Sequence, residues 1–103
     1  MGVTVGIIGA GPGGYIAAIR VAQLGARVVV VEQEAVGGTC LNWGCIPTKT
    51  IKATAEAIEQ LHRARELGIE LEGGFRHNLE RIMARKNQVI QILAAGIRNI
   101  FKS

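Results

Sequence analysis

The chain has 103 residues, about half of them apolar and few aromatic, with no aspartate and a net charge of +4. That is room for one small domain or part of a larger one, and its aliphatic composition suits buried parallel strands covered by helices better than a sandwich or a disordered chain. No apolar run approaches the ~20 residues of a membrane span, and the basic residues after position 60 are spaced like solvated helix faces without interleaved aromatics, which argues against nucleic-acid binding.

The opening "MGVTVGIIG" lacks a basic leader and is too short and glycine-rich for a signal peptide. Gly6 stands where a myristoylation motif wants Ser or Thr. A soluble, cytoplasmic protein in a reducing compartment is expected. Within this opening, Val3–Gly9 is a short β-branched run bounded by glycines and reads as a buried strand. "PGGYIAAIRVAQLG" follows with apolar residues at helical steps, and Gly25 is its expected stop. The unbroken valines Val28 to Val31 predict a second strand buried on both faces, as in a parallel sheet. Strand, helix and strand make one βαβ unit.

Between the first strand and its helix lies "GAGPGG", which supplies Gly9-x-Gly11-x-x-Gly14. The spacing alone is a weak signal. Its place between a strand and a helix, with Glu32 closing the second strand twenty-three residues after Gly9, meets the conditions for a dinucleotide-binding loop. Gly9 allows the tight turn, Gly11 lets a pyrophosphate approach the backbone, and Gly14 lets helix and strand pack closely. The helix N-terminus offers N–H groups and partial positive charge to phosphates. Glu32 can accept from ribose hydroxyls and disfavours a 2′-phosphate, so NADP suits this loop poorly.

Next comes "AVGGTCLNWGCIPTK", read as a loop holding the only two cysteines, Cys40 and Cys45. Three readings stand. As zinc ligands the pair is two short of a full set, and neither His62 nor His77 has ligand spacing to it. Two inert buried thiols are the second reading. A redox-active dithiol is the third. A five-residue step near a helix start brings both side chains to one side, Pro47 suits a first helical turn, and Lys49 adds a cation. A helix N-terminus favours the Cys45 thiolate. A helix from about Ile46 to Leu67 is predicted next, then a break with a short extended piece at "GIELEGG". The last segment places Leu79, Ile82, Met83, Lys86, Ile90, Leu93, Ile97 and Ile100 at three- and four-residue steps, a long amphipathic helix with Asn78 as candidate N-cap. An α/β pattern calls for another strand after Ser103.

"GGTCLNWGCIPTK", following the glutamate that closes "VVVVE", resembles the signature of the class I FAD-dependent pyridine nucleotide–disulfide oxidoreductases. "GAGPGGYIAAIRVAQLG", "LNWGCIPTK" and "ARKNQVIQILAAGIRNIF" are most similar to the dihydrolipoamide dehydrogenase branch. Mercuric and glutathione reductases more often carry Val at the positions of Leu41 and Ile46. The resemblance spans residues 1–103. It implies a Rossmann-like FAD-binding half-domain, α/β with parallel strands, followed by two long helices: an incomplete part of a larger FAD/NAD(P)-binding fold.

The resemblance also implies roles. Gly9, Gly11 and Gly14 would bind FAD, with Glu32 on the adenosine ribose. Gly37, Gly38 and Thr39 would run along the flavin. Cys45 would face the isoalloxazine, Cys40 would exchange with the dithiol substrate, and Lys49 would lie near the flavin N5. No metal is implied. Dihydrolipoamide, carried on the lipoyl domain of a 2-oxo acid dehydrogenase or glycine cleavage complex, would be oxidised and NAD reduced by a homodimer. The NAD domain, the dimerisation domain and their His-Glu pair have no counterpart in this chain. The alternatives are another class I disulfide reductase, similar to the mercuric or glutathione reductases, and a truncated, non-catalytic nucleotide-binding fragment.

Overall fold

A computed structural model describes residues 2–103. Strand β1 (Thr4–Ile8) leads into helix α1 (Pro12–Gln23), and strand β2 (Arg27–Val31) returns parallel to β1. The register pairs Thr4 with Arg27 and Ile8 with Val31. Arg27 N–H donates to Val3 at 2.9 Å, and Gly9 N–H donates to Val31 at 2.7 Å, so the ladder continues past both strand ends. The second contact sets the exit angle of the chain into the glycine loop. α1 starts with Pro12 in its first turn, and Gly25 turns the chain at its other end with φ +92°.

The sheet has two strands, and α1 lies on one face of it. Val28 and Val30 turn toward that helix and, with Ala18, Ile19, Ala22 and the end of the last helix, line a cleft of about 430 Å³. Val29 and Val31 point the other way and are 47% and 58% exposed, and Ile8 is 94% exposed. The valine run therefore alternates in burial, contrary to its lack of alternation in sequence. Among the described residues no element covers the second face, so side chains suited to a two-sided environment meet solvent on one side.

The segment after β2 differs most from expectation. It is not a plain loop: Gly38–Trp43 forms a short helix, α2, broken from α3 (Cys45–His62) by Gly44 at φ −124°, ψ −102°. α3 starts one residue before the expected boundary and ends earlier, at His62. Turns carry the chain through Arg63–Leu67 to Gly68, whose φ is +78°. "GIELEGG" forms no strand. Instead Ile69 N–H bonds the Ala64 carbonyl at 2.9 Å, and Phe75 stacks at a tilt on His62 with ring centroids 5.1 Å apart, returning the connection toward α3. Helix α4 (Leu79–Lys102) begins as expected at Asn78, whose side chain accepts from Arg81 N–H at 3.0 Å.

The core is small. Leu41, Ala94 and Ile97 are buried together, with Tyr15, Val36, Ile46 and Ile90 packed around them. Every element after β2 and the first turn of α1 thus contributes to one cluster. Leu79, Leu93 and Ile100, expected on the packed stripe of α4, are 68%, 41% and 51% exposed. The radius of gyration is 19.7 Å, against about 13 Å for a compact domain of this size. α3 and α4 pack on each other, and the molecule extends to 68 Å.

Glycine at position 14 is a packing requirement. A Cβ there would fall 1.8 Å from the Gly9 carbonyl oxygen, which is backbone and cannot swing away. At Gly13, one residue earlier in the same helix, a Cβ meets nothing within 4 Å. Gly14→Ala is expected to cost at least about 2 kcal/mol. Gly13→Ala should be neutral or stabilising by up to about 1 kcal/mol. Urea unfolding of the two variants side by side checks this, and equal midpoints would contradict it.

Candidate functional site

The site is assembled around the peptide unit of Ala10, which is 0% exposed. Its N–H donates to the Glu32 carboxylate at 2.6 Å, and its carbonyl accepts from Gly37 N–H at 2.7 Å. The glycine loop, the end of β2 and the entry to α2 are thereby tied at one residue. The other Glu32 oxygen accepts from Glu34 N–H at 3.2 Å. These bonds, Ala10 first and then Glu34, hold the Glu32 carboxyl below the usual carboxylate range. Glu32 is thus charged and fixed beside the loop, with lone pairs left for further donors.

The glycines separate into two kinds. Gly9 has φ +99°, a conformation for which glycine is suited. A Cβ on Gly38 would lie 2.7 Å from the Gly11 Cα, so the two glycine motifs touch backbone to backbone. A Cβ on Gly37 would lie 2.8 Å from Leu41 Cβ. By contrast, a Cβ on Gly11 would make only ordinary contact, 3.7 Å from Gly38 Cα. Protein packing does not demand glycine at 11. The α1 N-terminus beside it has no side-chain cap and no acid in its first turn. Bare backbone, free of negative side chains at a helix start, fits the pyrophosphate of a dinucleotide.

Cys40 lies within α2 and Cys45 is the first residue of α3. The pair therefore does not share one continuous helix, as the five-residue step suggests. The chain turns tightly at Gly44, where a Cβ would crowd Thr39 O at 3.1 Å and Cys40 Cα at 3.4 Å, and the two cysteines act on each other across that corner. Both thiols are free, Cys45 exposed and Cys40 half-buried. Hydrogen bonding with the Cys45 side chain, followed by desolvation and the Cys45 charge, pushes the Cys40 thiol above its ordinary value. The Cys45 backbone and the Lys49 ammonium oppose that shift. Lys49 stands one turn after Cys45 on α3 and acts electrostatically on Cys40. Thr39 is exposed beside Cys40. Among the described residues no group of three or more His, Cys, Asp or Glu is placed to hold a metal ion. His62 stands at the opposite end of α3 from Cys45 and is engaged with Phe75.

Sequence reading passed over Ala10, Leu41, Asn42 and Thr50. Leu41 anchors α2 in the core. The Asn42 amide donates to Gly38 O at 2.9 Å and Val36 O at 3.2 Å. The buried Thr50 hydroxyl donates back to Ile46 O at 2.8 Å. Only Asn42 had a usable signal, being a polar residue between two cysteines.

The electrostatics give a test. Removing the partner that raises the Cys40 thiol should lower its titration midpoint. In Cys45→Ala the pH at which iodoacetamide alkylates Cys40 at half its maximal rate should move down, and in Lys49→Met it should move up. Peptide mapping of the alkylation rate across pH checks both, and no movement in Cys45→Ala would contradict the contact.

No helix of the described residues is long and apolar enough to cross a membrane. The sequence profile described as pyridine nucleotide-disulphide oxidoreductase matches residues 3–102. The dihydrolipoyl dehydrogenase of Bacillus subtilis is 46% identical over 96 residues, 93% of this chain and 20% of that protein. The dihydrolipoyl dehydrogenase of Rhizobium etli is 44% identical over the same shares of both chains. Among solved structures, LpdA from Mycobacterium tuberculosis superposes with a TM-score of 0.80 at 27% identity, over 95% of this chain and 21% of that one. The chain therefore spans about a fifth of the length of these relatives. With the α/β fold, the glycine loop and the paired cysteines, the match places the chain in the pyridine nucleotide-disulphide oxidoreductase family.

Proposed function

We propose that residues 1–103 form the amino-terminal part of the FAD-binding domain of a dihydrolipoyl dehydrogenase and carry its redox-active cysteine pair. The observation that carries this reading is the meeting of the two glycine motifs. Gly11 and Gly38 approach so closely that neither loop can be moved without the other, so a dinucleotide held by the first lies against the helix bearing Cys40. The identity to dihydrolipoyl dehydrogenases over nearly the whole chain supports the choice of branch.

In this reading Gly9, Gly11 and Gly14 bind the pyrophosphate at the start of α1, and Glu32 orients the adenosine ribose. Gly37, Gly38 and Thr39 line the path toward the cysteines. When bound, FAD supplies two-electron redox chemistry between the dithiol and NAD. The chain's own step is thiol–disulfide exchange. A thiolate of dihydrolipoamide attacks the Cys40 sulfur of the oxidised pair, and Cys45 leaves as thiolate. The second substrate thiol then displaces Cys40, closing the lipoamide disulfide and leaving two electrons on the cysteines. Lys49 stabilises the negative charge that this creates at the pair.

NAD binding, dimer formation and docking of a lipoyl domain from a 2-oxo acid dehydrogenase or glycine cleavage complex belong to regions outside residues 1–103. Alone, these residues support binding rather than turnover. A redox-active cysteine pair, rather than a structural disulfide, suits a reducing compartment such as the cytoplasm.

Two substitutions in the full-length enzyme test the two halves of the site. Cys45→Ser should keep FAD and lose at least about a thousandfold in dihydrolipoamide oxidation by NAD; retained turnover would sink the redox assignment. Gly11→Ala should unfold within about 1 kcal/mol of the parent, because Ala tolerates φ −76°, ψ −174° and meets no clash. It should nonetheless hold FAD at least tenfold more weakly. Unchanged FAD affinity would show that no pyrophosphate lies on that loop.

A further inference from the structure

α2 has six residues, too few to hold a helical form by itself. Its N-cap, Gly37, offers no side chain, its first turn carries no acid, and its last turn carries no base. It packs against α3 and α4, and three further contacts place it. Leu41 inserts into the core, Gly37 N–H bonds Ala10 O, and the Asn42 amide reaches back along the helix. The first two fix its depth and its starting point. Trp43 at its far end lies beside Lys86, Asn87 and Ile90 of α4, and the Asn42 side chain supplies the directed hydrogen bonds that tie that end back to the loop from which the helix springs. That amide donates to two carbonyls at once, Gly38 O at 2.9 Å and Val36 O at 3.2 Å. It spans the whole of the helix that carries Cys40, from the 36–38 loop to the break before Cys45.

We infer that Asn42 is a positioning residue for the cysteine pair: its two hydrogen bonds hold α2 in the orientation that keeps Cys40 against Cys45. This rests on the redox reading of the pair and adds a residue that touches neither sulfur. The physical consequence is an effective concentration. Closing the disulfide releases two protons and two electrons, and its equilibrium constant rises with how tightly the two sulfurs are held together. Loosening α2 lowers that constant and makes the pair easier to reduce.

The test is thiol–disulfide equilibrium with glutathione. Cys40 and Cys45 thiols plus one glutathione disulfide give the Cys40–Cys45 disulfide plus two glutathione thiols. The full-length protein is equilibrated across glutathione ratios, quenched by alkylation and digested with trypsin. The peptide from Val28 to Lys49 carries both cysteines and no internal Lys or Arg, so one mass shift reads the pair. In Asn42→Leu the constant should fall about tenfold, a potential about 30 mV less negative. Asn42→Ser, whose hydroxyl can bond Gly38 O but not reach Val36 O, should fall between. Ile19→Val, which loosens the packing of α1 on β2 and is not part of the cluster around Leu41, should match the parent. If Asn42→Leu fails to fold, Asn42→Ser against the parent decides the matter.

A parental constant in both Asn42 variants, or an equal fall in Ile19→Val, overturns the inference. The readout needs neither dihydrolipoamide nor NAD. A shifted constant without lipoamide turnover in the parent therefore sinks only the proposed function, and turnover with an unshifted constant sinks only the role of Asn42. A parent that never closes the disulfide overturns both.

Discussion

The structure depends on one buried peptide. Ala10 gives its N–H to the Glu32 carboxylate and takes the Gly37 N–H on its carbonyl. A buried peptide cannot leave these groups unpaired without a cost of about 1–3 kcal/mol each. The requirement is met by bringing together three segments remote in sequence. The end of β2 supplies a charge and the entry to α2 supplies a donor. What results is a nucleotide-type loop whose shape is fixed by the same bonds that start the cysteine-bearing helix. The Glu32 carboxyl is held below its usual range by these backbone donors, so the Ala10 bond is made to a charged acceptor at neutral pH.

Glycine has two distinct uses around that peptide. At Gly14 and Gly38 the neighbouring backbone leaves no room for a methyl group, and at Gly9 and Gly37 the backbone turns through positive φ. These positions serve the protein's own packing. Gly11 is under no such demand, with an extended backbone and ordinary room for a Cβ. A site in which one glycine of a motif answers to no internal constraint, beside an uncapped helix start, has the form expected of a surface that meets another molecule.

The cysteine pair is arranged by interruption rather than by helix regularity. Gly44 breaks the chain between α2 and α3, so the two cysteines act on each other across a corner, with Lys49 a turn further on and the Asn42 amide bonded back to Gly38 O. The pair acts on itself: Cys45 raises the Cys40 thiol, and the Lys49 ammonium offsets part of that shift. The supporting core is slight, a few aliphatic side chains and Tyr15 drawn from five segments, and much of α4 is unburied. Local geometry at the site therefore relies on directed hydrogen bonds more than on bulk packing.

Much of this was legible in the sequence because it is local. Glycine spacing after a β-branched run gave the strand, turn and helix, and Asn78 gave the start of α4 through a bond only three residues long. The cysteine motif carried the family. Other readings failed for want of long-range information. The valine run looked buried on both faces, yet whether the second face is covered depends on elements the run itself does not encode. The loop after β2 concealed α2, since six residues with two glycines nearby have little helical preference and are held by Leu41, Asn42 and Ala10 instead. Sequence by itself thus determined the chemistry available: which residues can bend, donate, carry charge or exchange electrons. The tertiary structure alone decided that these meet, because the Ala10 bonds, the Gly11–Gly38 approach and the corner at Gly44 join positions whose distance along the chain says nothing of their distance in space.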